Sequence, residues 1–261
     1  MCTHLRASVD TVSSQVQYGR FIICPMPEAA PHFTPESLTF LRQLARNNRR
    51  EWFTPRKPDF ERWLKEPMHA VIEAINAAML SFAPNHIQPP QKCTMRIYRD
   101  TRFSADKTPY KKHVAAWWAH AGLLKTSGGG YYFHLSPTEL VIAAGVYMPE
   151  REQLLAIRTH LLTHHAEMRR RLQSRTLRSL MNEFDGLRLT RPPKGFPADH
   201  PAMDLLLCRQ WGVAATLPAQ TALQPTLVRE IVRRFRAAAP VVDLLNQPLT
   251  ERLTARKRTV F

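Results

Sequence analysis

The sequence predicts an α+β fold: an antiparallel β-meander packed against N-terminal and C-terminal helices. Three observations predict it. Residues 34–82 carry apolar side chains at helical spacing, residues 94–147 carry β-branched and aromatic runs broken by turn residues, and helical spacing returns from residue 150. Helices, then strands, then helices again argue for segregated elements over alternating α/β units.

Thr34-Pro35 opens the first helix, with Thr34 as N-cap and Pro35 at the first helical position, where a missing N–H is no loss. Leu38, Leu41, Leu44 and Ala45 form its apolar stripe, and Asn47-Asn48 stops it. Trp52-Phe53 and a second helical stretch over 56–66 follow. Pro67 starts a third helix, 67–82, with Met68, Val71, Ile72, Ile75 and Met79 inward and Pro84 beyond its end. Residues 94–100, 113–119, 131–136 and 140–147 read as four strands of a meander. Gly128-Gly129-Gly130 and Ser136-Pro137-Thr138-Glu139 supply two of its turns. The stretch from His113 to Ala121 fits a helix as well as a strand, with Pro109 in the first turn of the former. The long helix is 150–173, where Leu154, Ile157, Leu161, Met168 and Leu172 share a face. A short strand at 187–191, a Pro-rich loop, a short helix at 201–210, a strand at 212–217 and a helix over 226–245 complete the order.

Composition bounds the function without naming it. The 261 residues are 44% hydrophobic and 22% charged, and no stretch of about 18 apolar residues occurs, so no membrane span is expected. The same numbers exclude a coiled coil, a collagen and a fully disordered chain. Lys plus Arg is 37 against 21 acids, for a net charge of +16, with 28 Arg to 9 Lys. One reading of that ratio is codon bias; the other is an anionic partner, because such a surplus attracts phosphates over a long range. The surplus is concentrated: residues 86–125 carry eight cations against two acids, 151–178 seven Arg against two Glu, and 229–236 four Arg against one Glu.

Cys2, Cys24, Cys93 and Cys208 have neither metal-ligand nor redox-motif spacing and read as thiols of a reducing cytoplasm, Cys93 and Cys208 as small core residues. Residues 1–31 lack sustained periodicity and read as a loosely ordered N-terminal extension. Phe21-Ile22-Ile23-Cys24 is too short for a signal-peptide core, and Met26 is an alternative start. Residues 32–248 read as one domain and 249–261 as a basic, loose tail.

The densest polar segment runs from Arg96 to Lys111. Extended over 94–102, it would place Arg96, Tyr98, Asp100 and Arg102 on one face, with Met95, Ile97, Thr101 and Phe103 on the other beside Arg99. In a functional reading, Arg96, Arg99, Arg102, Lys107 and Lys111 converge on a phosphate or carboxylate, for which the guanidinium fork is suited. Asp100, Asp106 and Tyr110 would then orient those cations or exchange protons, which makes them the catalytic candidates. In the structural reading the same charges only satisfy one another. Two carboxylates among so many cations leave positive charge over, which favours a bound anion.

Several stretches resemble the uncharacterised family called domain of unknown function 2461. They are Phe33-Thr34-Pro35, Asn47-Asn48 through Glu51-Trp52-Phe53, the run from Arg99 to Lys111, Tyr131-Tyr132, Ala144 to Pro149, Pro193-Lys194-Gly195-Phe196 with His200-Pro201, and Pro240 to Asn246. The resemblance spans about residues 32–248 and implies one intact domain; it brings no known catalytic residues. Cys208-Arg209-Gln210-Trp211 stands where relatives are expected to carry a Lys-rich helix end.

Other features carry weaker signals. His160 and His164 are one helical turn apart, but no metalloprotease Glu follows His160, and His164 falls on the apolar stripe, so no metal site is expected. Lys194 and His200 sit in a Pro-rich loop where Gly195 permits close backbone approach, and they join the ligand-binding candidates. Gly128-Gly129-Gly130 lacks the Lys-Ser or Lys-Thr of a phosphate loop and reads as a turn. Trp52, Trp63, Trp117 and Trp118 read as core, although aromatics interleaved with arginines also suit base stacking.

Three functions stand at this point. The first is a cytoplasmic protein holding a small phosphorylated or carboxylated ligand, enzyme or not, with no cofactor named. The second is nucleic-acid binding through the Arg-rich helix faces at 169–178 and 229–236. The third is a scaffold whose motif is a salt-bridge network.

Overall fold

The computed structural model describes residues 30–123, 128–183 and 186–258, with side chains through residue 251. The expectations for residues 1–29, including the Met26 start, lie outside the described residues. Helix α1 (Pro35–Arg46) begins at Thr34, whose N–H donates to Ser37 Oγ at 3.1 Å, and Asn47 closes it. Leu38, Phe40, Leu41 and Leu44 are buried on its inner face. Phe40 was not on the expected stripe; it packs among Trp52, Phe53, Phe60 and Trp63.

The next helical stretches join into one run. Helix α2 (Arg50–Phe53) passes through a 3-10 turn (Thr54–Arg56), a short helix (Lys57–Phe60) and a π turn (Glu61–Lys65) into α3 (Glu66–Met79). All five residues expected to face inward on α3 are buried. Pro67 sits in the first turn of α3, where its missing N–H breaks no bond inside that helix.

Five antiparallel strands form one sheet in the order β1-β2-β3-β5-β4: β1 (Val114–Ala119), β2 (Gly130–Leu135), β3 (Glu139–Val146), β4 (Asn182–Glu183) and β5 (Trp211–Pro218). The first three are the expected meander, and His113–Ala121 resolves as a strand. The register pairs Trp118 with Tyr131, Phe133 with Ile142 and Ala144 with Val213 on the inner face. That face meets α3 and the C-terminal helix α5 (Leu227–Arg258). Trp118 shows the join: its Nε1–H donates to Asn76 Oδ1 at 2.8 Å, and its ring lies edge-on to Phe235. Helix α4 (Arg151–Leu172) packs on α5. The outer-face residues Trp117, Tyr132, His134, Val141 and Ala143 are only half-buried.

Four expectations need correction. Residues 94–100 do not form a strand. Met95 N–H donates to Ala115 O at 2.9 Å and Lys111 N–H to Ile97 O at 2.8 Å, so the partner chain advances four residues while this one advances two. That slip leaves isolated bridges at Thr94–Ala116 and Tyr98–Tyr110. Phe103, placed by simple alternation with Met95 and Ile97, is 96% exposed instead. The strand at 187–191 is a single bridge, Arg188–Cys208, and the edge strand is Asn182–Glu183. The helix at 201–210 is reduced to Met203–Leu206. Finally, the last helix does not stop at 245 but runs through Pro240 and Pro248 to Arg258, and buried Leu249 carries its apolar stripe past Pro248. The first part of the tail expected to be loose is therefore helical.

Candidate functional site

The segment from Arg96 to Lys111 returns on itself as an irregular hairpin, and its charges sort into two arginine–carboxylate units. Arg99 reaches across the hairpin: one terminal nitrogen donates to Asp106 Oδ2 and Thr108 Oγ1, the other to Ser104 Oγ at 3.3 Å. Asp106 also accepts the Thr108 N–H at 2.9 Å. Arg102 grips Asp100 with a two-pronged contact, Nε to Oδ1 at 3.0 Å and Nη2 to Oδ2 at 2.8 Å. Lys107 Nζ donates to the Thr101 carbonyl at 3.0 Å and closes the loop.

These contacts fix the protonation states. The Arg102 fork, with the Arg102 N–H, holds the Asp100 carboxyl at about 2. The Thr108 N–H and then Arg99 hold Asp106 at about 2. Both are carboxylates at neutral pH, and each is bound to its own arginine, so neither is poised to take a proton there. Tyr110 is 3% exposed and stacks on Phe53 with ring centroids 4.2 Å apart. Burial, and then Tyr98, raises its hydroxyl above the ordinary value. Each of the three catalytic candidates thus has a partner in the structure: Asp100 has Arg102, Asp106 has Arg99 and Thr108, and Tyr110 has Phe53.

Asn48 docks this hairpin on the helical layer. Its Nδ2 donates to Tyr110 O at 2.9 Å and its Oδ1 accepts the Tyr110 N–H at 3.0 Å. The clamp brings α2 beside the hairpin, and with it a cleft of about 480 Å³ lined by Arg49, Glu51, Trp52 and Arg56. Arg56 lies 4.8 Å from the centre of the Trp52 ring. Among the described residues, Arg96, Lys107 and Lys112 have no carboxylate within ion-pair distance. Arg96 and Lys107 are exposed, and so are Tyr98 and Phe103 between them.

Lys194 and His200 are not part of this assembly. Their loop is held against α4, where Arg169 donates to the Pro201 carbonyl at 2.6 Å and grips Asp204 at 2.9 and 2.7 Å. His200 Nδ1 accepts the Ala202 N–H at 3.1 Å, and its ring lies 5.6 Å from His165. Among the described residues, neither shares a hydrogen bond, ion pair or ring contact with the hairpin.

One group escaped the sequence reading. On the outer face of the sheet, His134 Nδ1 hydrogen-bonds with the Tyr132 hydroxyl at 3.1 Å, Nε2 faces Glu139 at 3.7 Å, and the His113 ring lies 4.7 Å away. Burial, then His134 and Lys111, lowers His113 to about 4. Burial also lowers His134. The only sequence signal was Tyr132 and His134 two apart on one strand; His113 joins them through register. Among the described residues no three His, Cys, Asp or Glu side chains are grouped to hold a metal ion.

Of the nine arginines at 169–178 and 229–236, five hold carboxylates among the described residues. Glu167 pairs with Arg170 and Arg171, Asp204 with Arg169, and Glu230 with Arg233 and Arg234. Arg158 is buried and donates to the Cys208 carbonyl at 2.9 Å. No helix of the described residues is long and apolar enough to cross a membrane.

A family model described as a conserved hypothetical protein (DUF2461) matches residues 36–244. No curated protein and no solved structure matches the chain.

Proposed function

Since the chain belongs to the conserved hypothetical family DUF2461, we propose a function from its own residues: it binds a phosphate- or carboxylate-bearing ligand on the basic face formed by residues 96–112 and α2. One observation carries this reading. Both carboxylates of the hairpin are taken up by Arg99 and Arg102, while Arg96, Lys107 and Lys112 have none within ion-pair distance. The hairpin is therefore a braced platform with cationic charge left over, and a braced donor loses little entropy on binding. Asp100 and Asp106 act as positioning residues, and the reading requires no chemistry. Binding through the helix faces is the lesser reading, because five of their nine arginines, Arg169, Arg170, Arg171, Arg233 and Arg234, already hold carboxylates.

The test is thermal denaturation of the full chain with pyrophosphate or citrate, beside the Arg96→Ala/Lys107→Ala/Lys112→Ala variant. An anion at about a hundred times its dissociation constant adds about 2.7 kcal/mol, or roughly 5–10 °C for a domain of this size. The variant should fold normally and lose that shift. Equal shifts in both proteins, or none in either, would overturn the reading.

A further inference from the structure

Resting on that basic face, we propose that its ligand is a single-stranded nucleic acid, with bases stacked on Phe103 and Tyr98 and phosphates held by Arg96, Arg102 and Lys107. Phe103 is 96% exposed and contributes nothing to the core, and leaving so large an apolar ring in water is unfavourable. It stands at the tip of a hairpin that four hydrogen bonds hold in shape: Arg99 to Asp106, Thr108 and Ser104, and Lys107 to the Thr101 carbonyl. The exposed ring is thus presented by a fixed backbone. Tyr98, 49% exposed, is backed by Tyr110 at 5.4 Å and, edge-on, by Phe53 at 6.5 Å. One aromatic column ends at the surface with an open ring.

The cations interleave with these rings. Arg102 is 77% exposed although gripped by Asp100, and its guanidinium lies 5.8 Å from the centre of the Phe103 ring. Open aromatic faces set among cations along an open surface are the pattern that recognises stacked bases on a charged backbone. A small anion needs the cations but not the rings. A lipid surface needs apolar mass to insert, and this tip offers one phenylalanine.

The experiment is fluorescence anisotropy of labelled oligo(dT) and oligo(U) 20-mers with the full chain at 50 and 200 mM salt. Parallel arms use duplex DNA and phosphatidylserine vesicles. Expected is single-strand binding that weakens with salt, at about −0.7 in log–log slope per phosphate contact. Phe103→Ala and Tyr98→Ala should each weaken it by about tenfold, within the range for one stacked base. Phe103→Ala should move neither the pyrophosphate shift nor the melting temperature of the unliganded protein, whereas Tyr98→Ala also removes packing on Tyr110 and Phe53 and should lower that temperature while sparing the pyrophosphate shift. Oligonucleotides that do not bind, or that bind Phe103→Ala as tightly as the parent, would overturn the inference; so would vesicles binding where oligonucleotides do not. If the triple cation variant still loses its pyrophosphate shift in those cases, the basic face stands and only its ligand is misassigned.

Discussion

Asn246 brackets the peptide of Gly129 from both sides: its Oδ1 accepts the Gly129 N–H at 2.7 Å, and its Nδ2 donates to the Gly129 carbonyl at 3.1 Å. The two residues are 117 positions apart. The clamp ties the approach to β2 to the last helix, and the buried His86 Nε2 meets the same carbonyl at 3.2 Å. A Cβ on Gly129 itself would lie 3.2 Å from Asn246 Oδ1 and 3.3 Å from Val242 Cγ1, so the clamp leaves little room for a side chain. Asn246→Ala should leave the Gly129 N–H buried without a partner and cost about 2 kcal/mol. The expected fall in melting temperature is roughly 4–8 °C, read by thermal denaturation.

Gly145 and Gly195 both adopt positive φ, +140° and +87°, yet they should tolerate a methyl group very differently. A Cβ on Gly145 would lie 2.2 Å from the Trp211 carbonyl oxygen and 2.5 Å from the Gly212 Cα, both backbone atoms of the paired strand β5. A Cβ on Gly195 would meet nothing within 4 Å. Gly195→Ala should therefore cost only the left-handed strain, about 1–2 kcal/mol. Gly145→Ala must also push β5 away and should cost more, or prevent folding. Urea denaturation of the two variants side by side tests the order.

These two clamps and contacts also mark where the sequence stops being legible. Local signals were read correctly: Thr34-Pro35 does open α1, and the five inward residues of α3 are buried. The pairing of Arg102 with Asp100, two residues apart, is equally short-range, and mutual satisfaction of these charges was one of the two readings open from sequence. The strand expected at 94–100 failed because its composition was right but its pairing slips against residues 111–115, and pairing is not a local property. The Asn48–Tyr110 and Asn246–Gly129 clamps span 62 and 117 residues. Nothing in an asparagine announces which distant peptide it will hold. The His113–His134 contact likewise depends on β1–β2 register.

Three histidines should make stability fall as the solution is acidified. Burial, opposed by the Gly129 carbonyl, lowers His86 to about 4; His113 is lowered to about 4, and His134 is lowered as well. A folded-state value below the unfolded one, near 6.5, means that the unfolded chain binds more protons between those limits. Stability is therefore fully present above about pH 6.5 and declines down to about pH 4, by at most about 1.4 kcal/mol per pH unit for each histidine. Denaturant melts between pH 4.5 and 7 should show this slope, and His113→Asn should flatten it. Asp100 and Asp106 act in a separate window. Their depressed values add stability that is lost only as pH falls from about 3.8 toward 2.

Asp100→Asn separates the scaffold reading from the binding one. The Asp100–Arg102 pair is exposed on both sides, 42% and 77%, and exposed pairs contribute little to folding. The variant should melt with the parent protein. Its effect should appear instead as a freer Arg102, seen as a changed affinity for pyrophosphate. A large drop in melting temperature would mean that the hairpin network is holding up the fold.

Arg158 gives a prediction of opposite sign. It is 6% exposed on α4, its Nε has no partner, and among the described residues no carboxylate lies within ion-pair distance. Burial accordingly lowers its affinity for a proton. Arg234, just as buried, differs in holding Glu230 at 2.7 Å. Replacing an unpaired buried charge by an apolar residue of similar length removes its desolvation cost. Arg158→Met should therefore match or exceed the parent in melting temperature. Arg234→Met should lower it, because Glu230 would keep only the half-exposed Arg233. If Arg158→Met instead melts well below the parent, the single bond to the Cys208 carbonyl outweighs desolvation, and the tie between α4 and the turn entering β5 is worth a buried charge.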